Sequence, residues 1–166
     1  DYELTLSNCT DVGTVYATIT GMNAYSETAR IDLFNIIAKE ISIDMFTISP
    51  NTTYSKGLSQ QPIVSGSYNS NAMVENKDYT IIYKRNGNLS SDFVSAGDII
   101  LEISGIGNFT NASSPLTVTY TIAPQIIAEI VLNKTETIFS GLDQTPTIVV
   151  KDILGNAVDS IEYVLT

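Results

Sequence analysis

The sequence predicts an all-β protein built as tandem β-sandwich repeats, with one complete domain flanked by two half-domains. Three observations carry that prediction: apolar alternation through residues 78–124, strands that recur about every 8–12 residues without a convincing helix, and an internal repeat at a spacing of 84 residues. In the first of these, Leu116, Val118, Tyr120 and Ile122 alternate with Thr117, Thr119 and Thr121. Side chains on a strand repeat every two residues, so the apolar set falls on one face. Tyr79, Ile81 and Tyr83, and then Ile99, Leu101 and Ile103, follow the same rule. The stretch therefore holds three half-buried strands.

The repeat is read by aligning VGTVYATITGMNAY at 12–25 with AGDIILEISGIGNF at 96–109. Gly13 matches Gly97, Ile19 matches Ile103, Gly21 matches Gly105 and Tyr25 matches Phe109. Downstream, Gly57-Leu58 with Pro62 matches Gly141-Leu142 with Pro146, and Asp78-Tyr79 matches Glu162-Tyr163. At the start, DYELTLSN resembles DYTIIYKR at 78–85, with a turn about seven residues shorter in the first copy. Residues 162–166, EYVLT, repeat the opening strand DYELT. Domain boundaries belong in exposed linkers, and the candidates lie near 37–40 and at Ala123-Pro124-Gln125. The expected organisation is 1–37 as the C-terminal half of one repeat, 38–124 as a complete repeat and 125–166 as the N-terminal half of the next. Tyr2, Leu4 and Leu6 in one half, and Ile130, Leu132, Ile148 and Val150 in the other, then have no partner layer in their own half-domain and need another chain.

Taken in order, residues 1–8 and 14–20 read as strands joined at Asp11-Val12-Gly13, and a third follows at about 29–36. IDLFNIIAKE at 31–40 has weak helical spacing but aligns with strand in the repeat, which assigns it to strand and linker. ISIDMFTIS at 41–49 reads as the opening strand of the complete domain. A short strand at 62–68 carries Pro62, which places the proline at an edge or a strand start. Asn86-Gly87 and Gly155-Asn156 are turn pairs that tolerate positive φ.

Asp78-Tyr79, Tyr83, Ala96-Gly97, Ile103, Gly105 and Gly107-Asn108-Phe109-Thr110 resemble the signature of the immunoglobulin-like tandem repeats, of the MBG and YDG kind, in bacterial cell-surface and adhesin-like proteins. The first copy departs from it with Met22-Asn23-Ala24-Tyr25, and Asn111 stands where the family often has glycine. The resemblance implies immunoglobulin-like β-sandwich domains in modular surface use; its motif consists of turn and core residues and specifies no ligand. It also implies that Lys–Asn isopeptide crosslinks occur among relatives, although no pair is identified here.

Eighteen acidic against eight basic residues and a pI near 4.1 argue against a nucleic-acid partner or an anionic membrane surface, which require clustered Lys and Arg. The chain has no histidine and a single cysteine, Cys9, so it offers no internal disulfide and no His/Cys zinc set. No apolar run approaches the roughly 18–20 residues that span a bilayer, and no membrane insertion is expected in this segment. A start without Met or signal peptide is expected of a mature or excised piece.

Candidate chemistry is sparse. Asp44, Glu75, Asp78, Asp152 and Asp159 supply carboxylates, but no spacing gathers two of them as glycoside hydrolysis requires, and no enzyme is expected. Asp and Asn in inter-strand loops offer hard oxygen ligands, which makes Ca2+ the cofactor to consider, though no D-x-D-x-D-G run occurs. Cys9 lacks cationic neighbours in sequence that would activate it. Asn-x-Ser/Thr sequons begin at Asn8, Asn51, Asn88, Asn108, Asn111 and Asn133, an enrichment that makes these six the candidate N-glycosylation sites. The expected role is a structural repeat segment of an extracellular fibre, stalk or surface-layer-like protein, whose partners are copies of itself or adjacent repeats of the same chain. The alternative is an adhesin module that binds glycan or host surface protein through the loops at 84–96 and 65–77.

Overall fold

The structure, a computed structural model, describes residues 1–164 and is all-β. Contacts divide it into two compact units: Asp1–Pro50 with Gln61–Asp92 and Asp98–Tyr120, and Asn51–Gln60 with Phe93–Gly97 and the chain from Thr121 onward.

In the first unit, β1 (Tyr2–Ser7), β2 (Gly13–Gly21) and β3 (Thr28–Ile36) form an antiparallel sheet in the order β1-β2-β3. The stretch with weak helical spacing thus lies in a strand. β4 (Lys39–Glu40) leads to a single 3-10 turn at Ile43–Met45 and then β5 (Phe46–Ile48). This corrects the continuous strand expected over 41–49. Ile41 and Phe46 are five residues apart and would face opposite sides of a strand, yet Ile41, Met45 and Phe46 all enter the core; the turn is what allows it.

After β6 (Thr52–Thr53), which belongs to the second unit, come β7 (Val64–Tyr68) and β8 (Asn71–Met73), which pair in the order β5-β7-β8. Pro62 precedes β7 by two residues, outside the ladder. β9 (Tyr79–Arg85) turns through Asn86 (φ 49°) and Gly87 (φ 79°) into β10 (Asn88–Leu89), the two-residue hairpin that Asn-Gly favours. β11 (Gly97–Gly105), β12 (Phe109–Thr110) and β13 (Leu116–Ala123) follow. β9, β11 and β13 lie side by side in one sheet, and β12 pairs with β4 in parallel. Between this sheet and β5-β7-β8 lies a core of Ile41, Phe46, Met73, Tyr79 and Ile103, rimmed by Ile48, Val64, Ile81 and Phe109 among others. Phe46 meets Tyr79 edge-on with ring centroids 5.1 Å apart, and Tyr68 meets Phe109 likewise at 5.7 Å.

The second unit contains β6, paired in parallel with the end of β13 at Thr52↔Ile122, and the antiparallel hairpin of β14 (Ile127–Leu132) and β15 (Ile148–Asp152). Asp152 closes the following turn by accepting the backbone N–H groups of Leu154 at 2.9 Å and Asn156 at 2.8 Å. Ser160–Glu162 is a 3-10 turn, and Tyr163 and Val164 are not in a strand. The strand expected over EYVLT is therefore absent at 162–164; Leu165 and Thr166 lie outside the described residues. Among the described residues no neighbouring strand supplies the ladder bonds that hold the matching DYELT in place.

Positions 84 residues apart, or 77 apart ahead of the shorter first turn, repeat each other in geometry as well as in letter. β2 and β11 each run nine residues and open on a glycine of positive φ, Gly13 at 134° and Gly97 at 124°. Tyr2 pairs with Gly21 as Tyr79 pairs with Gly105. Met22 N–H donates to Asp1 as Ile106 N–H donates to Asp78, both at 3.0 Å, and Tyr25 donates to Met22 as Phe109 donates to Ile106, both at 3.1 Å. The chain returns so close over the end of the strand that a Cβ on Gly105 would lie 2.7 Å from the Thr110 nitrogen, and one on Gly21 3.0 Å from the Tyr25 carbonyl carbon. Likewise the β14–β15 hairpin keeps the register of β5–β7: Ile130↔Val150 corresponds to Phe46↔Gly66, and Leu132↔Ile148 to Ile48↔Val64. Its closing pair of bonds, Asn133 N–H to Thr147 O at 3.1 Å and Thr147 N–H to Asn133 Oδ1 at 2.8 Å, reproduces Ser49 N–H to Ile63 O at 2.9 Å and Ile63 N–H to Ser49 Oγ at 3.0 Å.

Candidate functional site

The most conspicuous surface of the first unit is one face of the β1-β2-β3 sheet. Directly opposed residues of an antiparallel ladder point to the same side, so the registers Leu4↔Ile19↔Ala29, Leu6↔Ala17↔Ile31 and Val15↔Phe34 collect Tyr2, Leu4, Leu6, Ile19, Ile31 and Phe34 on one face. Val15 and Ala17, on the central strand, are buried, but Tyr2 is 68% and Ile19 39% exposed. Their counterparts under the covering layer, Tyr79 and Ile103, are 3% and 0% exposed. A groove of about 510 Å³ runs beside Tyr2, Ile19 and Tyr25. The opposite face is polar and tied together by its own side chains. Thr14 Oγ1 donates to Asn35 at 2.8 Å, the Arg30 guanidinium pairs with Asp32 at 3.1 Å, and the same guanidinium sits 3.6 Å above the Tyr16 ring. A sheet with one solvated face of this kind normally buries the other.

In the second unit, Ile130 and Leu132 are exposed on the β14–β15 hairpin, on the side that corresponds to Phe46 and Ile48. The same unit has a cleft of about 510 Å³ bordered by Tyr54, Lys56, Gln125, Ile126 and Asp159. Lys56 Nζ is held there by the Ala157 carbonyl at 3.0 Å and the Asp159 carboxylate at 3.4 Å.

The candidate carboxylates act locally. Asp78 accepts the Val74 N–H at 2.7 Å, and Asp159 faces Lys56. Asp44 is exposed, and a hydrogen bond from the Ser42 side chain holds its carboxyl below the ordinary range. Asp152 is subject to some desolvation, which raises its pKa, but the backbone and side-chain donors of Asn156 and the N–H groups of Leu154 and Gly155 bring it below the ordinary value. Glu75 is exposed at the edge of the β8–β9 connection. Among the described residues no three His, Cys, Asp or Glu side chains gather as a metal site, and Cys9 is exposed in its turn.

The six sequon asparagines fall into two groups. Asn51, Asn88 and Asn133 are exposed; Asn51 Oδ1 accepts the Thr121 N–H at 2.9 Å, Asn133 Oδ1 the Thr147 N–H, and Asn88 Nδ2 donates to Asn86 O at 3.3 Å. Asn8, Asn108 and Asn111 are half-buried, and their amide nitrogens are occupied. Asn8 Nδ2 donates to Thr14 O at 3.4 Å, Asn108 Nδ2 to Asp11 at 2.8 Å and Asn111 Nδ2 to Ile103 O at 3.2 Å. Asn108 Oδ1 also accepts the Val12 N–H, so this residue fastens the Asp11-Val12 turn, and Asn111 Oδ1 accepts the Gly105 N–H at 2.9 Å. Of the loops offered for ligand recognition, 65–77 is largely the β7–β8 hairpin and directs the Tyr68 ring onto Phe109, and 84–96 is partly fixed by the Arg85 Nε–Asp92 O bond at 2.8 Å. Reasoning from sequence missed the Arg30–Tyr16 stack, whose only signal was their placement on cross-strand diagonals.

No described helix is long and apolar enough to cross a membrane. Neither protein-family models nor curated proteins nor solved structures give a match to this chain.

Proposed function

We propose that this chain is a structural repeat segment of an extracellular fibre, stalk or surface-layer-like protein, and that its immunoglobulin-like domains are completed by neighbouring repeats or subunits. One observation carries the reading. The sheet built by 78–122 is covered on its apolar face, whereas the sheet at 2–36, whose first two strands keep the same register, buries Val15 and Ala17 but leaves Tyr2, Leu4, Leu6, Ile19, Ile31 and Phe34 of the corresponding face exposed. A face with six large apolar side chains in water is a binding surface or an aggregation liability, and a repeat that recurs in one chain supplies the binding partner by construction. The resemblance of Asp78-Tyr79 and Gly105 through Thr110 to surface-protein repeats supports the same reading and sets the proposed location at the cell surface. In this role the chain has no catalytic residues, and its partners are copies of itself.

The test is sedimentation velocity of the isolated chain over a wide concentration range. The expected result is average mass growing with concentration and falling again on dilution. A monodisperse monomer throughout, with a single cooperative unfolding transition, would overturn the reading.

A further inference from the structure

The chain itself contains an example of what covers a sheet like β1-β2-β3. Over Tyr79 the covering layer is β5-β7-β8, with the Phe46 ring standing edge-on at 5.1 Å and Met73 and Ile103 packed around it. The repeat relation carries Tyr79 to Tyr2, Ile103 to Ile19 and Phe109 to Tyr25, and these three line the open groove of the bare sheet. In the other direction it carries Phe46 to Ile130, Gly66 to Val150 and Met73 to Ala157.

That second set is an exchange of volume. Gly66 has no room for a side chain, because a Cβ there would lie 3.0 Å from the Phe46 ring and 3.2 Å from the Met73 Cβ. In β14–β15 the ring has become an isoleucine, the methionine an alanine, and the glycine a valine. Cores tolerate simultaneous substitution when total volume and pattern are kept, so the hairpin retains the form of a covering layer, with bulk moved from one strand to the other.

We propose that the apolar face of β1-β2-β3 is the docking site for the β14–β15 hairpin of a second copy of this chain, joined head to tail. Ile130 takes the place of Phe46 over Tyr2. Leu132 and Ile148 join Leu4 at the rim, as Ile48 and Val64 join Ile81 in the covered domain. Tyr25 closes the end as Phe109 does. The ring contact of Tyr68 on Phe109 is lost, because Asp152 stands at the position of Tyr68 and is engaged in its own turn. The exposed part of the six apolar side chains amounts to something on the order of 600 Å², near the upper end of what monomers leave in water and close to the roughly 800 Å² per partner of a stable interface. The two surfaces differ, so the contact is heterologous, and made head to tail it links successive copies of the chain. The proposal rests on the structural-repeat reading and adds to it which surfaces meet, in what order and in what register.

The test uses single-cysteine variants in a Cys9→Ser background. Tyr2 and Ile130 are 68% and 61% exposed, so Tyr2→Cys and Ile130→Cys leave the isolated fold intact. Equal amounts of the two, joined with a short bifunctional maleimide, are expected to give a mixed dimer several-fold in excess of either self-linked dimer. The double variant is expected to give a ladder in steps of 18.0 kDa. Leu132→Glu and, separately, Leu4→Glu should each reduce the cross-link at least tenfold, whereas Ile138→Glu in the exposed β14–β15 loop should leave it unchanged. A predominant Tyr2–Tyr2 link that stops at dimer, or a double variant that cross-links only within one chain, would overturn the docking and leave the structural-repeat reading standing. A chain that gives no cross-link and stays at monomer mass in sedimentation would overturn both.

Discussion

Two sheets in this molecule share a plan and differ in their surroundings. β9 and β11 carry Tyr79, Ile81 and Ile103 under a covering layer, and β1 and β2 carry Tyr2, Leu4 and Ile19 exposed. The ladder between the first two strands, the opening glycines of positive φ and the chain return after Gly21 and Gly105 are the same in both. Local pattern is therefore sufficient to specify a strand and its turns, whereas burial is conferred by a second layer that the pattern can request but not supply. The difference is largest toward the Gly21 and Gly105 ends of the strands, at Tyr2 against Tyr79 and Ile19 against Ile103, and absent at Ala17 against Leu101, so the first two pairs are where it can be tested most sharply.

The largest expected contrast is at Ile103 and Ile19. Ile103 is fully enclosed, so Ile103→Ala removes three carbons and leaves a cavity, a change that costs about 2–5 kcal/mol. Ile19→Ala at the same position of the bare sheet should cost about 1 kcal/mol or less in the dilute chain. Urea midpoints measured for both variants check this. Equal losses would mean that Ile19 is already covered in solution. A loss at Ile19 that grows with protein concentration would identify self-association as the source of the cover.

Much of this arrangement was legible in the sequence because it is local. Period-two alternation placed β9, β11 and β13, the Asn86-Gly87 pair marked a turn of positive φ, and the matches between Gly13 and Gly97 and between Gly21 and Gly105 coincide with shared backbone geometry. The parts that were not legible depend on neighbours distant in the chain. The 3-10 turn at Ile43–Met45 exists because three side chains must reach one core, which no alternation rule conveys. The division of the sequon asparagines depends on Asp11 and on the carbonyls of Thr14 and Ile103. Nothing in the letters around Asn111 tells of its role, and only the structure shows its amide bridging Gly105 and Ile103.

That bridge supplies a second contrast, of intermediate size. In the first copy the same service to the strand end is done by backbone, with Gly21 N–H donating to the Glu27 carbonyl at 3.0 Å. Asn111→Ala removes the acceptor for Gly105 and a donor to Ile103 O in a half-buried place, and should cost about 1–3 kcal/mol. Glu27→Ala leaves its carbonyl where it is and should stay within about 0.5 kcal/mol of the parent. Thermal midpoints of the two variants decide it; a Glu27→Ala loss as large as that of Asn111→Ala would mean that the Glu27 side chain, and not only its backbone carbonyl, holds the first strand end. The bridge also bears on modification. A glycan on Asn111 would have to grow from a half-buried nitrogen that already donates to Ile103 O, so mass spectrometry of glycosylated material should find occupancy at the exposed Asn51, Asn88 and Asn133 in preference to it.

The smallest effect is one of pH, and it separates covered from uncovered sheet without removing any atoms of the core. Burial, with smaller contributions from the charges of Glu75, Tyr83 and Asp78, raises the Tyr79 phenol above its ordinary value of 10.0. A folded state that holds its proton more tightly than the unfolded chain has full stability below that value and loses it as pH rises from there through the folded pKa. Unfolding free energy should thus decline above about pH 10 as the Tyr79 phenol ionises in the unfolded chain. Tyr79→Phe keeps the ring against Phe46 and has no proton to lose, so it should flatten that part of the decline. Denaturant midpoints at pH 9 to 11 for the parent and Tyr79→Phe provide the comparison. A decline of equal slope in both would place the alkaline sensitivity elsewhere than in the covered core.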